Sequence, residues 1–470
     1  MNRSFHTNER TSVFALFRQA VRGDIKDFTS GGIDRAIFLL AVPMVLEMLL
    51  ESLFAVVDIY FVNQVGTAAS STVILTEASL TILYSVAWGL AMGVTALVAR
   101  RAGEKDFTTA SAIAAQAITL AVGFSLLISI AGFLFPKEIL GFMGASQAVV
   151  EGNYQFTRIM LTSNLVIMLL FVNNAVFRGA GDASIAMRAL LIANAINIVL
   201  DPLLIKGIGP FPRMGVIGAA VATTIGRACG VIYQLYHLFK GKDLIKLTLA
   251  TFKIKLSLIR QIIFTSAGGM FQFIIGSCSW IFLARIIAAS GQAATSGYGT
   301  AIRICIFTIL PAWGLANAAA TLVGQNLGAG QPERAEKSVW RTAFLALCFF
   351  ALVAIVFFFF GEQLMRFFIQ DKEAIATGTL CLHILAIGYV FFAYGMVLSQ
   401  AFNGAGDTRT PTYINLFVFW MIQIPLAYFL AKYLHPATLG VYIAIAIAES
   451  LLAIISMILF KKGRWKLVKV

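Results

Sequence analysis

Twelve long apolar runs, separated by short polar breaks, limit what this chain can fold into. They lie near 36–62, 73–99, 109–135, 153–177, 184–207, 215–239, 261–288, 298–324, 338–360, 377–402, 411–433 and 439–460. Each meets the roughly 20 residues a helix needs to cross a bilayer core. Hydrocarbon offers the backbone no hydrogen-bond partner, so helices are the predicted form. Composition agrees: 59% of the 470 residues are hydrophobic and only 12% are charged, against roughly 25% charged in soluble domains. No amphipathic helices flank the runs, as a soluble protein would need. An all-α membrane protein with twelve transmembrane helices is expected.

The net charge of +14 is gathered in particular loops, which argues against nucleic acid as a partner. Arg100, Arg101 and Lys105 follow the second run, and Arg178 and Arg188 bracket the link between the fourth and fifth. Lys240, Lys242, Lys246, Lys253, Lys255 and Arg260 fill the link between the sixth and seventh. Arg334, Lys337, Arg341 and Arg409 follow later spans, and Lys461, Lys462, Arg464, Lys466 and Lys469 close the chain. Residues 63–72 and 289–297, on the other side, carry no Lys or Arg. Excess positive charge marks the cytoplasmic side, so both termini are predicted there. The first run starts too late and is too long for a cleavable signal peptide. Residues Thr11–Arg22 set Val13, Phe14, Phe17, Ala20 and Val21 against Arg18 and Arg22. Such a segment is either a helix lying on the membrane surface or an unstructured tail.

The two halves repeat at an offset of 225 residues. Gly-Ala-Gly-Asp stands at Gly179–Asp182 and again at Gly404–Asp407, and Trp88–Ala91 recurs as Trp313–Ala316. Gly66, Ala68, Ala69, Val98 and Gly103 match Gly291, Ala293, Ala294, Val323 and Gly328, and Gly215-Val216 matches Gly440-Val441. Six spans return the chain to its starting side, so the halves enter the membrane in the same sense. Parallel repeats related by an axis along the membrane normal suit a V-shaped transporter with a cavity between its lobes. The predicted parts are a cytoplasmic segment 1–35, an N-lobe 36–239, a basic linker 240–260, a C-lobe 261–460 and a basic tail 461–470. The Gly-Ala-Gly-Asp segment reads as one turn used twice, the glycines admitting positive φ and the Asp bonding its own backbone. No ATP-binding GxxxxGK[ST] loop occurs.

Carboxylates inside the spans need a reason, because burial near the bilayer centre costs about 2.5–3.5 kcal/mol on insertion scales. Glu47, Glu51 and Asp58 fall within about 40° on the first helix, predicting an acidic stripe facing water inside the bundle. Pro43 lies one turn earlier, where it deletes a backbone bond and favours a kink. In the fifth span, Asn194, Asn197 and Asp201 fall within about 60° of one another. The second half lacks these groups: Asp58, Asp201, Asn197, Glu47 and Glu51 correspond to Leu283, Leu426, Ile422, Gln272 and Gly276. Ion chemistry is therefore expected in the N-lobe. If Asp58 and Asp201 face each other, they hold a cation as a unit: a proton, or Na⁺ with Asn197 as a further oxygen ligand. Glu77, Asn173, Asn174 and Glu449 are further candidates for a substrate or proton pathway. Arg285 and Arg303 are expected to snorkel near the outer ends. The five cysteines form no CxxC pair and the four histidines show no metal spacing, so no metal or redox site is signalled.

The segment from Asp27 through Gly66 resembles the opening of the multidrug and toxic compound extrusion family. The stretches FRGAGDASIAMRALLIANAINIVLDPLLI, GVIGAAVAT, VGQNLGAGQPERA and FNGAGDTRTPT are similar to its later segments. The resemblance implies two six-helix lobes and cation-driven export of amphipathic, often cationic compounds. It makes Asp58 the first-helix Asp, Pro43 the kinking proline, Asn197 and Asp201 the fifth-helix pair, and Asn174 a fourth-helix Asn. Family members often carry Gln where this chain has Glu51, which implies extra cation affinity or altered proton coupling. One branch uses acids in helices seven and ten for sodium. Here helix seven offers Gln272 and neither span has a carboxylate, which points to the N-lobe-acid, DinF-like branch.

The resulting expectation is a monomeric H⁺- or Na⁺-coupled antiporter of the inner membrane, with small organic cations or amphipathic drugs as cargo. It is not an enzyme and needs no cofactor. The alternatives are a flippase for lipid-linked oligosaccharides, which usually has two more helices, and a channel or receptor, which needs no acidic pair.

Overall fold

The computed structural model describes residues 12–24, 27–240 and 244–469, so Lys242 of the linker and Thr11 lie outside the described residues. Twelve described helical segments are long and apolar enough to cross a membrane, two of them built from more than one of the helices named below. Helix α1 spans Val13–Arg22, followed by α2 Ile33–Asn63, α3 Thr67–Gly103, α4 Phe107–Leu134 and the short α5 Pro136–Phe142. Then come α6 Gln147–Thr162, α7 Asn164–Ala180, α8 Ala183–Lys206 and α9 Val216–Lys240. The second half holds α10 Leu256–Ala288, α11 Gln292–Gly328, α12 Pro332–Phe368, α13 Lys372–Gly404, α14 Arg409–Asn415, α15 Ile424–Tyr433 and α16 Ala437–Lys461. Several helices outrun their apolar runs, α3 by six residues before and four after. Apolarity stops at the first charge, but the helical ladder continues until a cap closes it. Asp106 accepts from the Thr109 amide at the start of α4, and Asp371 from Glu373 and Ala374 at the start of α13.

Two predicted spans are not single helices. The fourth is α6 and α7, broken at Ser163. The eleventh is α14, a π-helical stretch Leu416–Gln423, and α15. Two loop predictions also change. Arg178 lies inside α7 and is buried, so it is no loop cation. The linker is docked, since Gln116 of α4 donates to the Thr251 and Lys253 carbonyls and accepts from the Lys255 amide.

The repeat is visible as contacts between equivalent residues. Trp88 and Trp313 meet edge to face with ring centroids 5.8 Å apart. Gly89 of α3 packs on Met270 of α10, and its counterpart Gly314 of α11 packs on Met44 and Val45 of α2. Gly103 abuts Gln325, and Gly328 abuts Arg100, the same contact with the halves exchanged. An approximate two-fold axis therefore runs between α3 and α11. These contacts lie toward the C-terminal ends of α3 and α11, beside Arg100 and Arg101 of α3 and Arg334 at the start of α12, termed here the basic end. The halves are sealed there. Toward the other end, Leu49, Leu53 and Val56 of α2 and Ile306 and Phe307 of α11 are exposed.

Both Gly-Ala-Gly-Asp segments end a helix. Gly181 and Gly406 take φ of 89° and 86°, where an L side chain is strained. The earlier glycines serve closeness: Gly179 lies on the Thr95 carbonyl of α3, and Gly404 on the Ala320 backbone of α11. Asp407 accepts from the Thr410 amide and hydroxyl, and Asp182 from the Ser184 hydroxyl.

Candidate functional site

Helices α2, α8 and α9 pack together in the N-terminal half, and their polar residues converge. The Thr223 hydroxyl of α9 donates to Asp58 of α2, 3.2 Å and 3.3 Å from its two carboxyl oxygens. The Asn197 amide of α8 lies 3.5 Å from the Thr223 oxygen and 3.3 Å from Asp201 Oδ1, one turn further along α8. Asp58 and Asp201 are thus joined through Thr223 and Asn197. Asp201 and Asn197 are fully buried and Asp58 partly so. Asp201 Oδ2 and Asn197 Oδ1 lack hydrogen-bond partners. Neither acid belongs to an ion pair among the described residues. Two carboxyl groups this close cannot both stay charged cheaply. The cluster, with its free oxygen atoms, suits one small hard cation.

The rest of the expected acidic stripe is neutralised by arginine. Glu47, 1% exposed, pairs with Arg178 of α7 at 3.3 Å. Glu51 pairs with Arg227 of α9 at 3.4 Å. Neither therefore presents a bare charge to water. The stripe geometry was legible, but the two arginines come from distant segments that a one-helix projection cannot show.

The other candidates scatter. Asn174 accepts from the Gln234 amide at 2.5 Å, joining α7 to α9. Asn194 donates to the Leu190 carbonyl of its own helix, and Asn173 is buried without a partner for either amide atom. Pro43 sits within an α2 that continues through it. Gln272 donates to Asn403 and to the Thr408 carbonyl, so it links helices of the C-terminal half and stands apart from the acidic cluster. Glu449 is half-buried on α16 with no ion-pair partner among the described residues. Glu77, Arg285 and Arg303 are exposed. Among the described residues, no group of three His, Cys, Asp or Glu side chains is placed to hold a metal ion.

The MatE family model matches residues 43–203 and again 269–429. The chain belongs to the multidrug and toxic compound extrusion (MATE) family. The two matches fall on the two halves of the repeat. Among relatives, the probable multidrug resistance protein NorM of Thermotoga maritima is 26% identical over 427 residues, covering 91% of this chain and 92% of the relative. A crystal structure of MATE in complex with MaL6 superposes with a TM-score of 0.86 at 26% identity, over 95% of this chain and 97% of that one. An outward-facing conformation of a multidrug resistance MATE family transporter gives the same TM-score and identity, over 95% and 96%.

Membership of the MATE family makes this chain a multi-pass membrane transporter, not an enzyme, and it calls for no cofactor. Within that fold, sequence reasoning missed Thr223, the hydroxyl between the two acids, and Arg227, the cation beside them. One signal was available. Thr223 and Arg227 stand four apart, on one face of α9, and their equivalents in the other half are Ala448 and Leu452.

Proposed function

We propose that this MATE transporter is a cation-coupled antiporter powered through Asp58 and Asp201. The supporting observation is the cluster itself: two acids outside any ion pair, joined by Thr223 and Asn197 at the seam of three helices. Cargo binds between the lobes, 36–239 and 261–460, while the pair carries no cation. A proton or Na⁺ then enters from outside, occupies the pair and drives the cargo off as α2 rearranges near Pro43. Asn197 Oδ1 and Asp201 Oδ2 are the free oxygen atoms that would take Na⁺. Each inward charge supplies about 2.3 kcal/mol per 100 mV of membrane potential, enough for a concentration ratio of tens.

The basic end, where the halves are sealed, is assigned to the cytoplasm of an inner-membrane protein with both termini inside. The conformation described is then the one open to the outside. The cargo is an amphipathic organic cation, and the working unit is a monomer. Acids confined to the first half favour the N-lobe-acid branch over C-lobe sodium coupling.

The test is dye export in proteoliposomes under separate H⁺ and Na⁺ gradients. Asp58→Asn and Asp201→Asn are each expected to abolish the dependence on one of the gradients. Wild-type pumping by both variants would refute the coupling scheme.

A further inference from the structure

We propose that Arg227 is a resident competitor of the coupling cation, moving between Glu51 and Asp58 as the acidic pair gains and loses its ion. The inference rests on the coupling role of Asp58 and Asp201, and it adds a residue that sets how tightly the ion is held.

Arginine does not lose its proton in a protein, so its charge must be met by neighbours. Arg227 is only 6% exposed. Its single ionic contact is the 3.4 Å approach of Nη2 to Glu51, and its Nε and Nη1 have no acceptor. The Phe54 ring lies 4.7 Å beneath the guanidinium. A buried guanidinium with two idle donors is poorly satisfied where it stands.

A second acceptor is within range. Thr223, already bonded to Asp58, precedes Arg227 by four residues on α9, about 6 Å along the axis. Glu51 precedes Asp58 by seven residues on α2, about 10 Å. The two helices run in opposite senses, so Arg227 is rooted at a level between the two acids. Pivoting its long side chain about the Phe54 ring carries the donors from one to the other. The other groups facing this space are Tyr84 and Glu77 of α3, with Asn197 and Asp201 of α8 behind Asp58.

Without a cation, the Asp58–Asp201 pair carries excess negative charge and draws Arg227 from Glu51. When the cation arrives, Asp58 no longer needs the arginine, and Arg227 returns to Glu51. The ion is thus held less tightly than the acids alone would hold it, which allows release on the far side. The second half has Gly276 and Leu452 at the positions of Glu51 and Arg227, so the device is confined to the half that holds the acids.

Ethidium export by proteoliposomes, measured against coupling-cation concentration, tests this. Arg227→Gln is expected to lower the half-saturating cation concentration about ten-fold, the effect of removing one nearby like charge, and to slow turnover because release slows. Glu51→Gln leaves Arg227 to Asp58 and is expected to raise that concentration about ten-fold. The double variant should follow Arg227→Gln, because Glu51 acts only through the arginine. A purely structural ion pair would move both single variants the same way or neither, and that result overturns the proposal. Should Arg227→Gln fail to fold, Glu51→Gln alone decides: a raised value supports the exchange, and an unchanged or lowered one refutes it. If Asp58→Asn and Asp201→Asn abolish coupling while the pair variants shift together, only this inference falls. If those two Asp variants pump normally, the coupling reading falls instead.

Discussion

The Arg178 guanidinium lies 3.3 Å from the Glu47 carboxylate, buried between α7 and α2. In the second half, the equivalent residues Asn403 and Gln272 are bonded to each other by their amides, at 3.0 Å and 3.2 Å. One contact between equivalent helices is thus made ionic in the first half and neutral in the second. Neutralising one member of a buried pair strands its partner's charge, at a cost of about 3–5 kcal/mol. Glu47→Gln and Arg178→Asn should each lower the unfolding midpoint in detergent sharply. The double variant, which copies the second half, should lose less than the sum of the two by at least about 1 kcal/mol.

Replacing Thr223 by Ala should affect the two candidate ions oppositely. A hydroxyl donating to a carboxylate favours its charged form, so its loss should strengthen proton binding. The same loss removes an oxygen ligand for Na⁺ and should weaken sodium binding. One hydrogen bond of about 1 kcal/mol corresponds to about a five-fold change in half-saturating concentration in either case. Thr223→Ser keeps the hydroxyl and should restore wild-type behaviour in dye export.

The seal at the basic end depends on glycine. A Cβ at Gly103 or Gly328 meets the backbone of Gln325 or Arg100, which cannot give way like the tip of a side chain. Overpacking of this kind costs about 1–3 kcal/mol and falls on the conformation in which α3 and α11 touch. Gly103→Val should therefore populate the state opened at this end. Maleimide labelling of an Ala99→Cys probe, in a background freed of native cysteines, should become faster.

Asp106 caps α4 by accepting from the Thr109 amide at 3.0 Å. The side-chain hydrogen bond from Thr109, with that backbone bond, holds its carboxyl below the usual carboxylate range. A group depressed on folding adds stability above its unfolded value, near 4, and loses it as pH falls through the folded value. Asp106→Ala should cost about 1 kcal/mol at neutral pH, and Asp106→Asn little. Thermal unfolding in detergent at pH 7 and at pH 3 should show a larger Ala penalty at pH 7 than at pH 3.

Much of the architecture was readable before any coordinates. Hydrocarbon forces backbone self-pairing, so apolar length alone gave twelve spans. The shared register of Trp88 with Trp313 and of Gly103 with Gly328 gave the two parallel halves. The helix-face arithmetic placed Glu47, Glu51 and Asp58 on one face of the first helix. It misread their setting, because a single-helix projection says nothing about what the neighbouring helix brings. Arg178 looked like a loop cation because it stands beside Gly-Ala-Gly-Asp, yet it is buried as the partner of Glu47.

The sequence by itself determined the number, sense and pairing of the spans, since these follow from local apolarity and an internal repeat. Only the tertiary structure decided which charges cancel and which remain. Coulombic pairing acts over a few ångströms between residues such as Glu51 and Arg227, 176 positions apart, and no pattern within one helix carries that distance. The sequence paired Asp58 with Asp201 only on the condition that they face each other, and the tertiary structure adds that the glutamates beside them are held by arginines while these two acids are not.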